Sequence, residues 1–324
     1  MQMFLYIIAI VILVLILLGY FKLANHFNII DKPNERSSHN YVTIRGGGIV
    51  FPMATMLWFL LFGFNQPWLV FALLLLATVS FLDDVITLSS KIRILIHFVA
   101  VTILFWQLGV FGLSMYIVVL AYIFTIGWIN AFNFMDGING ITAFYGFVAL
   151  LSFAWINHSI GFVSQDLIII LIISALIFSF FNARSRAKTF AGDVGSVSMA
   201  FLLVWLMISL MIKTGRLEYI LFFAIYGMDS VFTILFRLWR GENIFKAHRT
   251  HLFQFLSNEL KWPHVLVSGI YGLVQIAINI VAMLLISEER IIWWGLIVFF
   301  IALSVSYLFI RNRVTVIIQQ KSVI

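Results

Sequence analysis

Cysteine is absent from the chain. That excludes disulfides, thiol nucleophiles and cysteine metal sites, though it says little about compartment. Charge is scarce as well. Asp, Glu, Lys and Arg together make up 10% of the 324 residues, against roughly a quarter in soluble domains. A surface so poor in charge cannot face water, so neither a soluble globular domain nor a disordered chain fits. A nucleic-acid binder is excluded with them, despite the formal charge of +7. What fills the chain instead is apolar: 63% of residues are hydrophobic. The apolar runs are long and continuous, unlike the short alternating segments of a membrane β-barrel. The composition therefore predicts an all-α, polytopic membrane bundle.

Runs near the roughly 20 residues needed to span a bilayer fall at 3–21, 48–64, 67–83, 93–109, 114–132, 140–157, 166–182, 195–212, 219–236, 264–286 and 291–310. About eleven transmembrane helices are expected. The first run lacks a basic start and a small-residue cleavage site, so it reads as a retained helix. Alternate connections carry most of the positive charge. The segments 22–47, 84–93, 183–194, 237–263 and the tail after 310 hold 17 of the 20 Lys and Arg residues. By the positive-inside rule these lie in the cytoplasm, with the N-terminus outside and the C-terminus cytoplasmic. Part of the +7 is then attraction to anionic membrane lipids. No internal repeat or linker divides the chain, so residues 1–324 read as one transmembrane domain. Its active-site loops are expected at about 22–47, 83–93, 130–140, 183–196 and 237–263.

The polar residues gather on the same side as that charge. The segment 31–48 carries Arg36, His39 and Arg45 before Gly46-Gly47-Gly48; three glycines at a helix start bring backbone N–H groups close to an anion. Asp83 and Asp84 sit where an apolar helix leaves the membrane. Adjacent carboxylates repel unless they share a cation or a proton, and about 100° separates successive helical residues, so the pair divides its roles. Lys91 and Arg93 follow as candidate phosphate contacts. In the stretch 130–140, Asn130, Asn133, Asp136 and Asn139 recur every third position, a spacing that keeps helical neighbours on one side. Asn and Asp are hard oxygen donors suited to magnesium. Asp193 stands between glycines at the start of a further helix, a position that a helix cap would also explain. His248, Arg249 and His251 form a compact basic cluster suited to a diphosphate. Around it Phe245, Leu252, Phe253, Phe255, Leu256 and Trp262 read as an interfacial amphipathic piece. His97 reads as a helix-packing histidine. Asp229, inside the ninth run, needs a buried partner; Arg237, two turns on, or a helix-packing Ser or Thr are the candidates.

Carboxylates, amides and basic groups at one membrane face call for magnesium, phosphates and a lipid-soluble reactant, as in phosphoryl transfer. A transporter of nucleotide sugars or lipid-linked sugars is the alternative. It would place such groups near the bilayer midplane, where only Asp229 is a candidate.

The ordered set Asp83-Asp84, the Asn130–Gly140 motif, Gly192-Asp-x-Gly-Ser196 and Arg249-x-His251 resembles the polyprenyl-phosphate N-acetylhexosamine-1-phosphate transferase family, over about residues 31–254. Arg36–His39, Arg45–Gly48 and the Asn133–Gly140 core look most like its O-antigen-initiating branch. The resemblance implies transfer of a HexNAc-1-phosphate (GlcNAc, FucNAc or QuiNAc) from a UDP-sugar to undecaprenyl phosphate, releasing UMP, at the cytoplasmic face of a bacterial inner membrane. It implies Mg2+, or Mn2+ in its place, held by Asp193 and Asn133 against the donor diphosphate. Asp83, Asp84 and Asp136 would be catalytic. Phe190 would stack on uracil, with Asn139 and Asn130 also at the nucleotide. Lys91, Arg93, His39, Arg45, His248, Arg249 and His251 would contact phosphate or sugar. A homodimer is compatible with the resemblance, and nucleic acid is not a partner. Three departures stand out, the first being Ile44, which replaces a common Pro in the segment before the glycines. Many relatives carry Asp where Asn139 stands, and the triple-histidine run of the peptidoglycan enzyme is absent.

Overall fold

The computed structural model describes residues 2–33, 38, 41–243, 248–287 and 293–323. Among them ten helices are long and apolar enough to cross a membrane, and the architecture is an all-α polytopic bundle. The helices are α1 (Gln2–His26), α2 (Val50–Leu61), α3 (Pro67–Ile86), α4 (Ser90–Gln107), α5 (Met115–Met135), α6 (Ile141–Ile160), α7 (Gln165–Asn182), α8 (Gly192–Thr214), α9 (Ala224–Trp239), α10 (Leu252–Gln254), α11 (His264–Ser287) and α12 (Trp293–Val323). The only strands among the described residues, β1 (Ile30–Asp31) and β2 (Thr43–Ile44), pair antiparallel.

The expected count of eleven spans is corrected at the second run. There the chain forms a 3-10 turn, Gly47–Ile49, and the twelve-residue α2. The apolar helix Gly47–Leu61 is shorter than a span, because its first turn is drawn down onto α8 and Gly63, at φ +96°, follows its far end. The tail after 310 also differs from expectation. Helix α12 runs on to Val323, and Arg311 is buried in the bundle.

Helix α8 forms the axis. It is apolar around its whole circumference, the pattern of a helix with protein on every side, and from Val194 to Leu210 it is buried throughout. It packs on α3 and α5 and touches α2 and α6. The Trp128 indole donates to the Ala200 carbonyl of α8 at 3.2 Å. Before α9 the chain passes through a 3-10 stretch, Leu217–Phe223. A helix interruption at membrane depth needs partners for its freed backbone groups. Buried Gln275 of α11 supplies them, donating to the Leu221 carbonyl at 2.9 Å and accepting from Ile225 N at 3.0 Å.

Candidate functional site

The site is built where α8 begins. Residues 44–48 are zipped onto residues 189–191: Phe190 N donates to the Ile44 carbonyl (2.8 Å), Gly47 N to the Phe190 carbonyl (2.9 Å) and Gly48 N to the Ala191 carbonyl (3.0 Å). Two of the glycine N–H groups expected to face an anion are thus taken by backbone. The glycines serve close approach instead: a Cβ on Gly48 would lie 2.3 Å from the Gly195 Cα. This contact sets Arg45 beside the first turn of α8.

Asp84 completes the joint. Its side chain is fully buried and 2.6 Å from Arg45 Nε, and it accepts from Asp193 N (2.9 Å) and Val194 N (3.0 Å). It therefore satisfies donors that a helix start leaves without intrahelical partners. Gly192, at φ +70°, leaves no room for a side chain, since a Cβ would meet the Asp84 carboxylate at 2.6 Å. Burial works against the Arg45 charge, yet Asp84, Asp193 and Asp31 hold its pKa above the ordinary arginine range.

Asp83 faces the other way. It accepts from Leu88 N and from Arg93 (3.0 Å), the same guanidinium that Asp193 approaches. Asp193 is 3.5 Å from Arg45 and 3.9 Å from Arg93. Asn133, in the last turn of α5, accepts from Ser196 of α8 at 2.6 Å.

Two hollows meet at these residues. A cleft of about 390 Å³ is lined by Arg45, Asp136, Asn139, Phe190 and Gln254, among others. A groove of about 310 Å³ is lined by Asp83, Arg93, His97, Asn130 and His248, with Ile94, Ile126, Val197 and Ile234 as apolar wall. Asn133 and Asp193 line both. The third-position spacing of 130–139 thus splits between the hollows. Asn130 belongs to the groove and donates to the Ile126 carbonyl (2.7 Å), so it does not sit with Phe190. Asn139 is buried in the cleft wall, with its amide donating to the Arg184 carbonyl at 2.7 Å. Asp136 follows α5, takes a hydrogen bond from Thr142 (2.6 Å) and is pushed up to about 6, mainly by burial.

The basic residues divide too. Arg45, Arg93 and His248 reach the hollows. Lys91 is exposed on the first turn of α4, outside both linings. Arg249 is half-buried, also outside both. His251 is buried, with Nδ1 3.4 Å from Asp229. Burial and the neighbouring His251 and Arg237 push His248 down to about 4, so it is neutral near pH 7. His39 and Arg36 lie outside the described residues. The segment expected at the membrane surface is instead inserted: Leu252, Phe253 and Leu256 are buried. Sequence reasoning missed Asn182, Gln254 and His264 as cleft residues and His97 as a groove residue. Asn182 braces the cleft, accepting from Gly140 N (2.8 Å) and donating to the Thr189 carbonyl (2.9 Å).

Among the described residues no three His, Asp or Glu side chains gather as a metal cluster. Magnesium does not require one, since one or two carboxylates with substrate phosphates and water complete its shell. Asp83 and Asp193 converge on the Arg93 guanidinium, at 3.0 and 3.9 Å, and adjacent carboxylates favour a shared cation. With the Asn133 oxygen alongside, this hard donor set fits magnesium.

The model of glycosyl transferase family 4 matches residues 67–211. An undecaprenyl-phosphate alpha-N-acetylglucosaminyl 1-phosphate transferase of Escherichia coli O157:H7 is 30% identical over 266 residues, 71% of this chain and 70% of that protein. The chain belongs to glycosyl transferase family 4. It is also similar to a probable undecaprenyl-phosphate N-acetylglucosaminyl 1-phosphate transferase of Bacillus subtilis, 26% identical over 93% of this chain and 88% of that one. A phospho-N-acetylmuramoyl-pentapeptide-transferase of Fervidobacterium nodosum is 27% identical over 75% of this chain and 83% of its own length. The segment matched by the glycosyl transferase family 4 model contains Asp83, Asp84, Asn133, Asp136, Phe190 and Asp193; Arg45 and the 248–254 segment lie outside it.

Proposed function

We propose that the chain transfers a HexNAc-1-phosphate from a UDP-sugar to undecaprenyl phosphate, giving undecaprenyl-diphospho-HexNAc and UMP. The observation that carries this reading is the wall shared by the two hollows. A polar cleft suits a nucleotide sugar, a groove with an apolar wall suits a lipid phosphate, and both open on Asp193 and Asn133. The names of the relatives support the same reaction class. The transferred sugar in this reading is GlcNAc, FucNAc or QuiNAc, and the step initiates O-antigen or another cell-surface polysaccharide. UMP release from purified protein given both substrates tests the reading.

In this reaction an oxygen of the acceptor phosphate, in the groove, attacks the sugar-linked phosphorus of the donor. The bond from that phosphorus to the bridging oxygen breaks, and UMP leaves with the electron pair. Arg93 faces the acceptor phosphate and holds Asp83 in place, while Arg45 faces the donor diphosphate. Magnesium (or manganese) bound by Asp193 and Asn133 would offset the charge of that diphosphate. Little covalent chemistry falls to the protein in phosphoryl transfer, so positioning and charge carry the rate.

Phe190 lines the cleft three residues before Asp193, so its ring can stack on the base while the carboxylate serves the diphosphate. Stacking is worth roughly 1–3 kcal/mol per base. Phe190→Ala is therefore expected to weaken UMP binding by roughly 5- to 150-fold, with Phe190→Trp retaining most of it. Calorimetric titration checks this, and unchanged UMP affinity in the alanine variant would place the base elsewhere.

Asp136 yields a pH expectation. Its folded pKa of about 6 lies above its ordinary value. Any stability it contributes is present at low pH and is lost as pH rises through about 6. Its ionised form is the working one in this reading, so donor kcat/KM should rise with pH through that same range. Asp136→Asn should abolish this acid limb. An identical limb in the variant would assign it to another group.

The site end of the bundle is read as cytoplasmic, in a bacterial inner membrane, because the basic connections lie there. Single substitutions Arg186→Cys and Glu259→Cys should resist an impermeant thiol reagent in intact cells, while Asn65→Cys is labelled. The reverse pattern would invert the orientation.

A further inference from the structure

The 248–254 segment serves both hollows, with His248 in the groove and Gln254 in the cleft. Its depth is set from inside the bundle. Asp229 of α9 is fully buried and lines neither hollow. It accepts from Leu252 N at 2.9 Å, and from the hydroxyls of Tyr271 of α11 (2.6 Å) and Tyr307 of α12 (2.9 Å). Arg311 of α12 lies 3.9 Å from Asp229. It donates to the Thr250 carbonyl (2.7 Å), to Tyr307 (2.9 Å) and to Thr233 of α9 (3.0 Å). One charge thus grips the segment by an N–H and the other by a carbonyl two residues earlier. Below the grip, the Phe253 ring fills the space over Gly137, where a Cβ would come within 3.1 Å.

Buried charges are costly unless well paired, and similar apolar residues often serve stability equally well. Most of the described side chains of α12 are exposed, and Tyr307 and Arg311, which join the clamp, are among the few that are buried. We propose that Asp229 and Arg311 are positioning residues, a buried charge clamp that fixes the depth of residues 250–254. The clamp thereby places His248 and Gln254 against the two substrates. The role rests on the reading of cleft and groove as donor and acceptor sites. It makes α12, which lines neither hollow, a working part of the site.

The test uses the natural absence of cysteine. Ser257→Cys places a thiol at a buried position just after the segment, where Ser257 donates to the Phe253 carbonyl at 2.9 Å, and Ser198→Cys places one at a fully buried position in α8. Each is combined with Asp229→Asn and with Arg311→Met in the full-length protein in detergent, and maleimide labelling rates are compared. Either clamp variant should raise labelling at position 257 at least tenfold and leave position 198 protected. With cysteine-free protein, UMP release should fall ten- to a hundredfold in both variants. Unchanged labelling at 257 in both variants overturns the clamp. So does equal deprotection of 198, which would make these residues props of the whole bundle. If the parent releases no UMP from any UDP-sugar and undecaprenyl phosphate, the transferase reading fails, while the labelling arm still decides whether the clamp exists.

Discussion

Asp193→Asn is expected to lower turnover by at least about 10²-fold while the protein remains folded. Even groups outside the immediate shell of a metal cost 10–100-fold when changed, and Asp193 is proposed to be a direct ligand. Its contribution to the fold runs through its backbone, whose N–H is held by Asp84, and asparagine keeps that bond and the side-chain volume. What the substitution removes is the carboxylate that lines both hollows. Its ion pairs with Arg45 and Arg93 are long, 3.5 and 3.9 Å, so little stability is lost with them. The check is UMP release at saturating substrates and magnesium, beside a thermal unfolding curve. Near-normal turnover in Asp193→Asn would remove it from the metal site.

The adjacent carboxylates should separate cleanly. Asp84→Ala is expected to destabilise the protein by on the order of 3 kcal/mol, because removing one member of a buried ion pair strands the other. The figure sits at the low end of that range because the Arg45 side chain is 35% exposed and water can reach it. Two N–H groups at the start of α8 lose their acceptor as well. Asp83→Ala should behave differently. Asp83 lines the groove and is held by Arg93, about as exposed as Arg45, but it caps one backbone N–H where Asp84 caps two, so its loss should destabilise the protein less than Asp84→Ala and sharply reduce turnover. Measuring stability and turnover on both variants decides it. Equal destabilisation by the two would mean that Asp83 is also a structural brace, and its assignment to the acceptor phosphate would be wrong.

The bundle itself was legible because a span needs a long apolar run, and ten of the eleven runs became long helices. The run at 48–64 misled because composition does not register a neighbour. Gly48 is pulled onto Gly195, nearly 150 positions away in sequence. The same limit hid the capping by Asp84, whose partners lie 109 and 110 residues downstream. Asp193 could be read from its place between glycines. Asn182 could not, since it ends an apolar helix and looks like any terminal asparagine. Spacing at 130–139 identified polar residues but not their division between two hollows, because α5 ends at Met135 and the chain turns between Asn133 and Asn139. The cluster at 248–251 was visible as charge. That His251 turns inward to Asp229 was not, because the sequence offered Arg237 or a helix-packing Ser or Thr as partners for Asp229, and Arg237 pairs with Glu242 instead.

The central claim is that one protein joins a nucleotide sugar in the cleft to a lipid phosphate in the groove. Its most direct test offers the purified protein undecaprenyl phosphate with a panel of UDP-sugars and follows UMP release with and without magnesium. Release that requires the lipid phosphate, the metal and a UDP-N-acetylhexosamine together is the predicted result. The contradictory result is that no UDP-sugar in the panel yields UMP in the presence of both lipid and metal, with the protein shown to be folded.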